Sequence, residues 1–155
     1  LISVSRRLLC IANEDIGLAY PMAIPIVKAA TDTALQLGMP EALLPLSNAT
    51  VLLCTAPKSN SAPMAYWQAA QALETKTVGE IPADIRDGHY SGAQSLGRAE
   101  HYLYPHSYPH HWVPQNYMPS GFEGLKFYEF GDNKMEDTSR KYWEGLKSET
   151  TTKKP

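Results

Sequence analysis

Very little in this chain advertises a chemistry. Its 155 residues include only two cysteines, and the formal charge is -2 with a pI near 6.2. Scarce cysteine excludes a disulfide-built scaffold, and a near-balanced charge excludes a global positive field toward nucleic acid or an anionic membrane, so any such binding has to be local. No apolar run approaches the ~18 residues of a membrane span, and the opening "LISVSRR" lacks the charge-then-apolar order of a signal peptide. Alternation of apolar and polar residues with period two is sustained nowhere, which leaves no convincing strand. Cys10 and Cys54 lie inside apolar runs, "RRLLCIA" and "VLLCTAP", and read as buried thiols of a cytosolic protein; Asn48 of "NAT" then reads as a helix residue. The first residue is Leu1, and an amphipathic pattern begins at once with no cap before it, from which we expect an excised piece of a longer protein.

Catalytic signatures are missing too. Gly88, Gly92 and Gly97 do not make G-x-G-x-x-G, and nothing fits the phosphate-cradling G-x-x-x-x-G-K-[ST]. No serine occupies a G-x-S-x-G elbow, and the carboxylate and histidine pairs are too scattered for a triad. The expectation is a chain with no enzyme activity, no metal and no cofactor site of its own.

What is present is helical. With 43% hydrophobic residues the chain can bury one ordinary core. Val4, Leu8, Ile11 and Ala12 recur at helical spacing over residues 2–16, with Gly17 as the stop. Glu14 and Asp15 in that last turn oppose the helix dipole unless a cation or a neighbouring helix N-terminus meets them; Arg7 lies two turns back on the face of Glu14. A second helix over 22–38 places Ile24, Val27, Thr31, Ala34 and Leu35 on one stripe, tolerates Pro25 in its first turn and stops at Gly38. A third over 46–56, bounded by Pro45 and Pro57, has a centre Val51-Leu52-Leu53 expected to be buried all round. A fourth over 61–76 follows a cap at Asn60 or Ser61, with Pro63 in its first turn and Met64, Trp67, Ala70 and Leu73 or Glu74 at helical period. Short helical turns are expected over 81–96, near 81–87 and 90–96, and coil over 97–133. A last helix over 134–148 carries Met135, Tyr142, Trp143 and Leu146, and residues 150–155 read as a disordered tail. The organisation is one helical domain, 1–149.

The coil is too rich in aromatics to be disordered: Tyr102, Tyr104, Tyr108, Trp112, Tyr117, Phe122, Phe127, Tyr128 and Phe130 all fall in it. Its densest stretch, "YPHSYPHHW" at 104–112, raises a metal reading through His106, His110 and His111 with His101 or His89. Pro109 breaks the turn between His106 and His110, and adjacent His110 and His111 point apart in extended chain, so the spacing opposes it. Base stacking beside Arg98 and Lys126 is a better alternative, but basic residues there are few. The preferred reading is a rigid strap whose rings, Tyr104, Tyr108, Trp112 and Tyr117, cover the helices, with Trp112 and Tyr104 mostly buried and Trp112→Ala costing about 3–5 kcal/mol.

Several stretches taken together carry a resemblance: "RRLLCIANEDIGLAYP", "LGMPEALLPL", "APKSNSA", "RDGHYSGAQSLG" leading into "YLYPHSYPHHWVPQNYMP", and "KFYEFGDNK". In order, over essentially the whole chain, they resemble the C-terminal domain of the MgsA or Werner-helicase-interacting family of AAA+ ATPases, which includes replication-associated recombination protein A. The resemblance implies an all-α domain related to the clamp-loader collar that assembles ATPase subunits into a homotetramer. It implies a cytoplasmic, nucleoid-associated bacterial parent, a DNA-dependent ATPase at stalled forks, with single-strand-binding protein as a partner and with ATP and Mg held in a domain outside this fragment. Three positions depart from the family pattern: Pro63 where tyrosine is usual, Ser107 where aspartate is usual, and His110 where glycine is usual, the last implying a permissive backbone there. The motifs make Arg6, Arg7, Glu14, Asp15, Lys58 and Asn60 interaction candidates; Lys58 and Asn60 equally suit a tight helix-to-helix turn. An assembly domain predicts an exposed apolar patch on the helices of 2–76, and a single-stranded DNA or protein-partner module predicts salt-sensitive binding.

Overall fold

Helix-forming periodicity and the glycine and proline stops dominate the architecture seen in a computed structural model, which describes residues 1–87 and 101–152, with side chains to 148. The fold is all-helical, and no strand forms among the described residues. Helix α1 spans Ile2–Ile11 and runs into a π-helical turn, Ala12–Ile16; α2 is Ala23–Leu37, α3 is Leu43–Thr55, α4 is Ser61–Thr75 and α5 is Lys134–Thr152. The expected first helix therefore changes character at Ala12, whose carbonyl accepts the Gly17 N–H five residues on. The expected tail is helical through Thr152, and residues 153–155 lie outside the described residues. So do Gly88, His89, Gly92, Gly97, Arg98 and the short helix expected over 90–96; before them a single turn of 3-10 helix covers Ala83–Ile85.

Two compact units take the place of the single domain read from the sequence: Leu1–Gln68 with Phe127–Lys141, and Ala69–Lys126 with Tyr142–Pro155. In the first, α1, α2 and α3 pack pairwise. Their core is one stripe from each helix: Leu8, Ala12 and Ile16; Ala23, Val27 and Ala34; Ala42, Leu46, Ala49 and Leu53. Alanine at half of these positions lets the helix backbones approach closely. Thr31 is buried in the same stripe and satisfies its hydroxyl on the Lys28 carbonyl at 2.9 Å.

One buried stripe per helix overturns four expectations. Along α3 only Leu53 of the Val51-Leu52-Leu53 centre is buried; Leu52 is half-buried and Val51 exposed. On α2 Leu35 is exposed, and on α1 Val4 is. Both cysteines are exposed, because each helical residue turns about 100° from the last: Cys10 lies away from Leu8 and Ala12, and Cys54 lies one step beyond Leu53. An apolar run on a helix wraps right round it, while the core touches one side.

The second unit buries Val113, Phe122 and Leu146. Its chain is tied by backbone pairs from Gly79 N–H to Ser120 O and from Ser120 N–H to Glu80 O, at 2.9 and 3.0 Å. The Gln115 amide brackets Leu103, accepting from its N–H at 3.2 Å and donating to its carbonyl at 2.9 Å.

The aromatic strap is corrected here. Residues 104–112 are not extended: two prolines start successive 3-10 turns, Pro105–Ser107 and Pro109–His111, with His110 and His111 at φ 58° and 54°. That curl turns the rings on one another, Tyr104 to His106 at 5.3 Å and His106 to His111 at 4.8 Å between centroids. Tyr104 is 57% exposed, and Tyr108 and Tyr117 are exposed as well. Trp112 is half-buried, edge-on to Trp143 at 5.8 Å. The left-handed backbone of His110 falls where the family pattern called for a permissive residue.

Candidate functional site

The motif-rich stretches of the first unit converge. Gly17 ends the π turn at φ 46°, and a Cβ there would lie 2.9 Å from the Ser59 carbonyl, so the turn and the 58–60 loop touch backbone to backbone. The Ser59 N–H donates to the Asp15 carbonyl at 2.8 Å. Thus "NEDIG" and "PKSNS" form one structural unit, and Ile11, Asp15, Lys58, Ser59 and Asn60 line a shallow recess between them. Asp15 enters through its carbonyl, while Glu14 accepts the Cys10 thiol at 3.3 Å, which heads the causes pushing that thiol's pKa up.

Lys58 does not reach outward. Its ammonium donates to the carbonyls of Ala56, Leu53 and Cys54 at 2.5, 2.9 and 3.5 Å, covering the acceptors that α3 leaves open at its end and complementing the dipole there. Asn60 accepts the Met64 N–H at 3.0 Å and so starts α4. Arg6 and Arg7 stand exposed on α1 and make no ion pair among the described residues.

The sequence reading missed Glu136. It is 2% exposed, and its carboxylate is surrounded by donors. Ser61 Oγ at 2.5 Å, Tyr128 OH at 2.8 Å and the Gly131 N–H at 3.0 Å donate to Oε1; Asn133 Nδ2 at 2.5 Å donates to Oε2. Burial alone would raise the pKa, but hydrogen bonds from Ser59, Ser61, Gly131 and Asn133 outweigh it and bring the carboxyl down to about 2. Conversely, burial together with the Glu136 charge holds the Tyr128 phenol up at about 12. A Cβ on Gly131 would fall 2.6 Å from Glu136 Oε2, so that position has no room for a side chain. Asn133 caps α5, accepting the Glu136 N–H on Oδ1 at 3.0 Å. The network ties the starts of α4 and α5 to the "FYEFGDN" loop. A signal existed in the text, since Asn133 followed three residues later by Glu136 has the spacing of a capping box.

Beside this network Lys58, Asn60, Met64, Phe127, Phe130 and Asp132 line an open recess of about 430 Å³. On another side of the unit, Leu1, Val4, Met39, Leu43, Leu46 and Val51, with Ser47 and Thr50, line an apolar groove of about 560 Å³. Further apolar surface lies on α4, where Tyr66 and Trp67 are 64% and 62% exposed and meet edge to face at 5.1 Å. No group of three or more metal-ligating side chains converges among the described residues, and no described helix is long and apolar enough to cross a membrane.

Among the described residues the fold is an all-helical domain with an open recess beside Glu136 and an apolar groove along α3. The family model for the MgsA AAA+ ATPase C terminal matches residues 1–147, and the chain belongs to that family. Replication-associated recombination protein A of Bacillus subtilis is 47% identical over 127 residues, 82% of this chain and 30% of its own length. The protein of the same name from Haemophilus influenzae is 32% identical over 126 residues, covering 81% of this chain and 28% of the relative. ATPase WRNIP1 of Dictyostelium discoideum is 31% identical over 128 residues, 82% of this chain and 15% of the relative. The chain thus spans less than a third of the length of these relatives.

Proposed function

We propose that this domain assembles copies of a AAA+ ATPase of replication-associated recombination into a homo-oligomer, a tetramer in the whole protein. The observation that carries the reading is apolar surface left uncovered on the unit that has the best-formed core: Leu43, Leu44 and Val51 on α3 are 53%, 68% and 61% exposed. Apolar patches of this kind on an otherwise well-packed helical unit mark a surface that a partner covers. ATP and Mg bind the remainder of the protein, and DNA and single-strand-binding protein are its partners in a bacterial cytoplasm, at the nucleoid. The test is the solution mass of this chain by sedimentation across a concentration series. A weight-average mass rising from 17.2 kDa toward a multiple of it is expected, and a mass fixed at 17.2 kDa throughout overturns the reading.

A second reading, single-stranded DNA binding, draws support from the exposed Tyr104, His106 and His111 rings in the second unit. It requires affinity for an oligonucleotide that falls steeply with salt and that Tyr104→Ala weakens.

A further inference from the structure

We propose that the recess beside Glu136 receives the guanidinium group of an arginine on a partner protein, stacked on the rings of Phe127 and Phe130 and held by the carboxylates of Glu129 and Asp132. The inference is independent of self-association, because every residue it uses lies in one compact unit of a single chain.

The recess has the size of a binding cavity and its walls are fixed. Its volume of about 430 Å³ falls in the range of ~300–1,000 Å³ in which ligands are held. Ser61 on one side and Gly131 on the other both line it, and both donate to the same oxygen of Glu136. Tyr128 donates to that oxygen too, and its ring meets Phe130 edge-on at 4.8 Å. The buried carboxylate therefore sets the two sides of the recess before any guest arrives, which lowers the ordering cost of binding.

Charge selects the guest. Two of the charged groups here are already matched by helix ends. The Lys58 ammonium covers the open carbonyls at the end of α3, and Glu136 lies at the starts of α4 and α5, where the backbone dipoles favour an anion. Glu129 and Asp132 stand exposed and make no ion pair among the described residues. The charge left without a counterpart is negative, so the complementary guest is a cation.

The walls narrow the choice to arginine. Phe127, Phe130 and Met64 form an apolar side on which a compact, strongly hydrated ammonium would have to shed its water. A guanidinium is planar and weakly hydrated; it stacks on aromatic faces while its edge still donates to carboxylates. Asn60 and Gln68 on the same lining add amide oxygens to the acceptors.

The test is a titration of the isotope-labelled chain with the blocked peptide acetyl-Gly-Arg-Gly-amide, followed by amide chemical shifts, with the citrulline and lysine peptides as comparisons. We expect saturable shifts centred on Ser59, Asn60, Phe130, Gly131 and Asp132, and binding by the uncharged citrulline peptide weaker on the order of 10-fold. Glu129→Gln and Asp132→Asn should each weaken arginine binding about three-fold or more at unchanged melting temperature, since both residues are exposed, and Glu41→Gln, outside the recess, should leave it unchanged. Absence of a saturable shift, equal affinity for the citrulline or lysine peptide, or unchanged affinity in both recess variants overturns the proposal. So do shifts spread equally over Glu14, Asp15 and Glu123, which mark general surface attraction. Dissociation of a self-associated chain by the arginine peptide, read by sedimentation, overturns the partner assignment and gives the recess to an arginine of a second copy.

Discussion

Burying the carboxylate of Glu136 costs free energy that only its donors return, and their effect is readable as pH dependence. The folded pKa of about 2 lies below the ordinary 4.5, so the group stabilises the fold fully above pH ~5 and loses that contribution as pH falls through the folded value. A shift of that size corresponds to about 3 kcal/mol. We expect the urea midpoint to drop between pH 5 and pH 2.5, and Glu136→Gln to flatten most of that drop while lowering the unfolding free energy at pH 7 by about 2–3 kcal/mol. The amide would turn donors toward Asn133 Nδ2, whose own Oδ1 is occupied by the Glu136 N–H. A variant with wild-type pH dependence would contradict the ionised, buried assignment. Trp112 gives a second residue-scale expectation. Half-buried against Trp143, it loses roughly 1–2 kcal/mol on truncation to alanine, below the 3–5 kcal/mol of a fully buried tryptophan, as a denaturation curve of the variant would show.

Among the elements, the π turn does something that a continued α-helix could not. It brings Gly17 against the Ser59 carbonyl and aims the Asp15 carbonyl at the Ser59 N–H, locking α1 to the loop that starts α4. Gly17→Ala adds a Cβ at positive φ and 2.9 Å from a carbonyl oxygen; we expect a loss of about 2–3 kcal/mol in thermal or urea unfolding, where Gly→Ala at an ordinary helical site stabilises. The helix ends near Gly17 and Gly38 were legible because glycine stops are local chemistry. Which side of each helix was buried was only half legible: Leu8, Val27 and Leu53 fit their stripes, whereas Val4, Leu35 and Val51 fit the same periodicity and stay outside.

For the whole molecule, assembly and thiol chemistry meet on α3. Cys54 lies four residues after Thr50 and three after Val51, on the side that the proposed contact covers, while Cys10 projects from α1 away from the groove. Alkylation of Cys54 should slow as protein concentration rises through the association range, with Cys10 unaffected; mass spectrometry of partially labelled protein resolves the two sites. Equal, concentration-independent labelling of Cys54 would place the contact elsewhere.

By itself the sequence determined the helical class, the glycine and proline boundaries and the family, because periodicity, stops and motif text are local properties of the chain. Tertiary structure decided the rest. It spent Lys58 on the end of α3, gathered Ser61, Tyr128, Gly131 and Asn133 around Glu136 across up to 75 residues of chain, and curled 104–112 so that its rings face each other and water. Those outcomes depend on which segments meet, and apolar runs such as "VLLC" read alike whether they face a core or stand open on a surface.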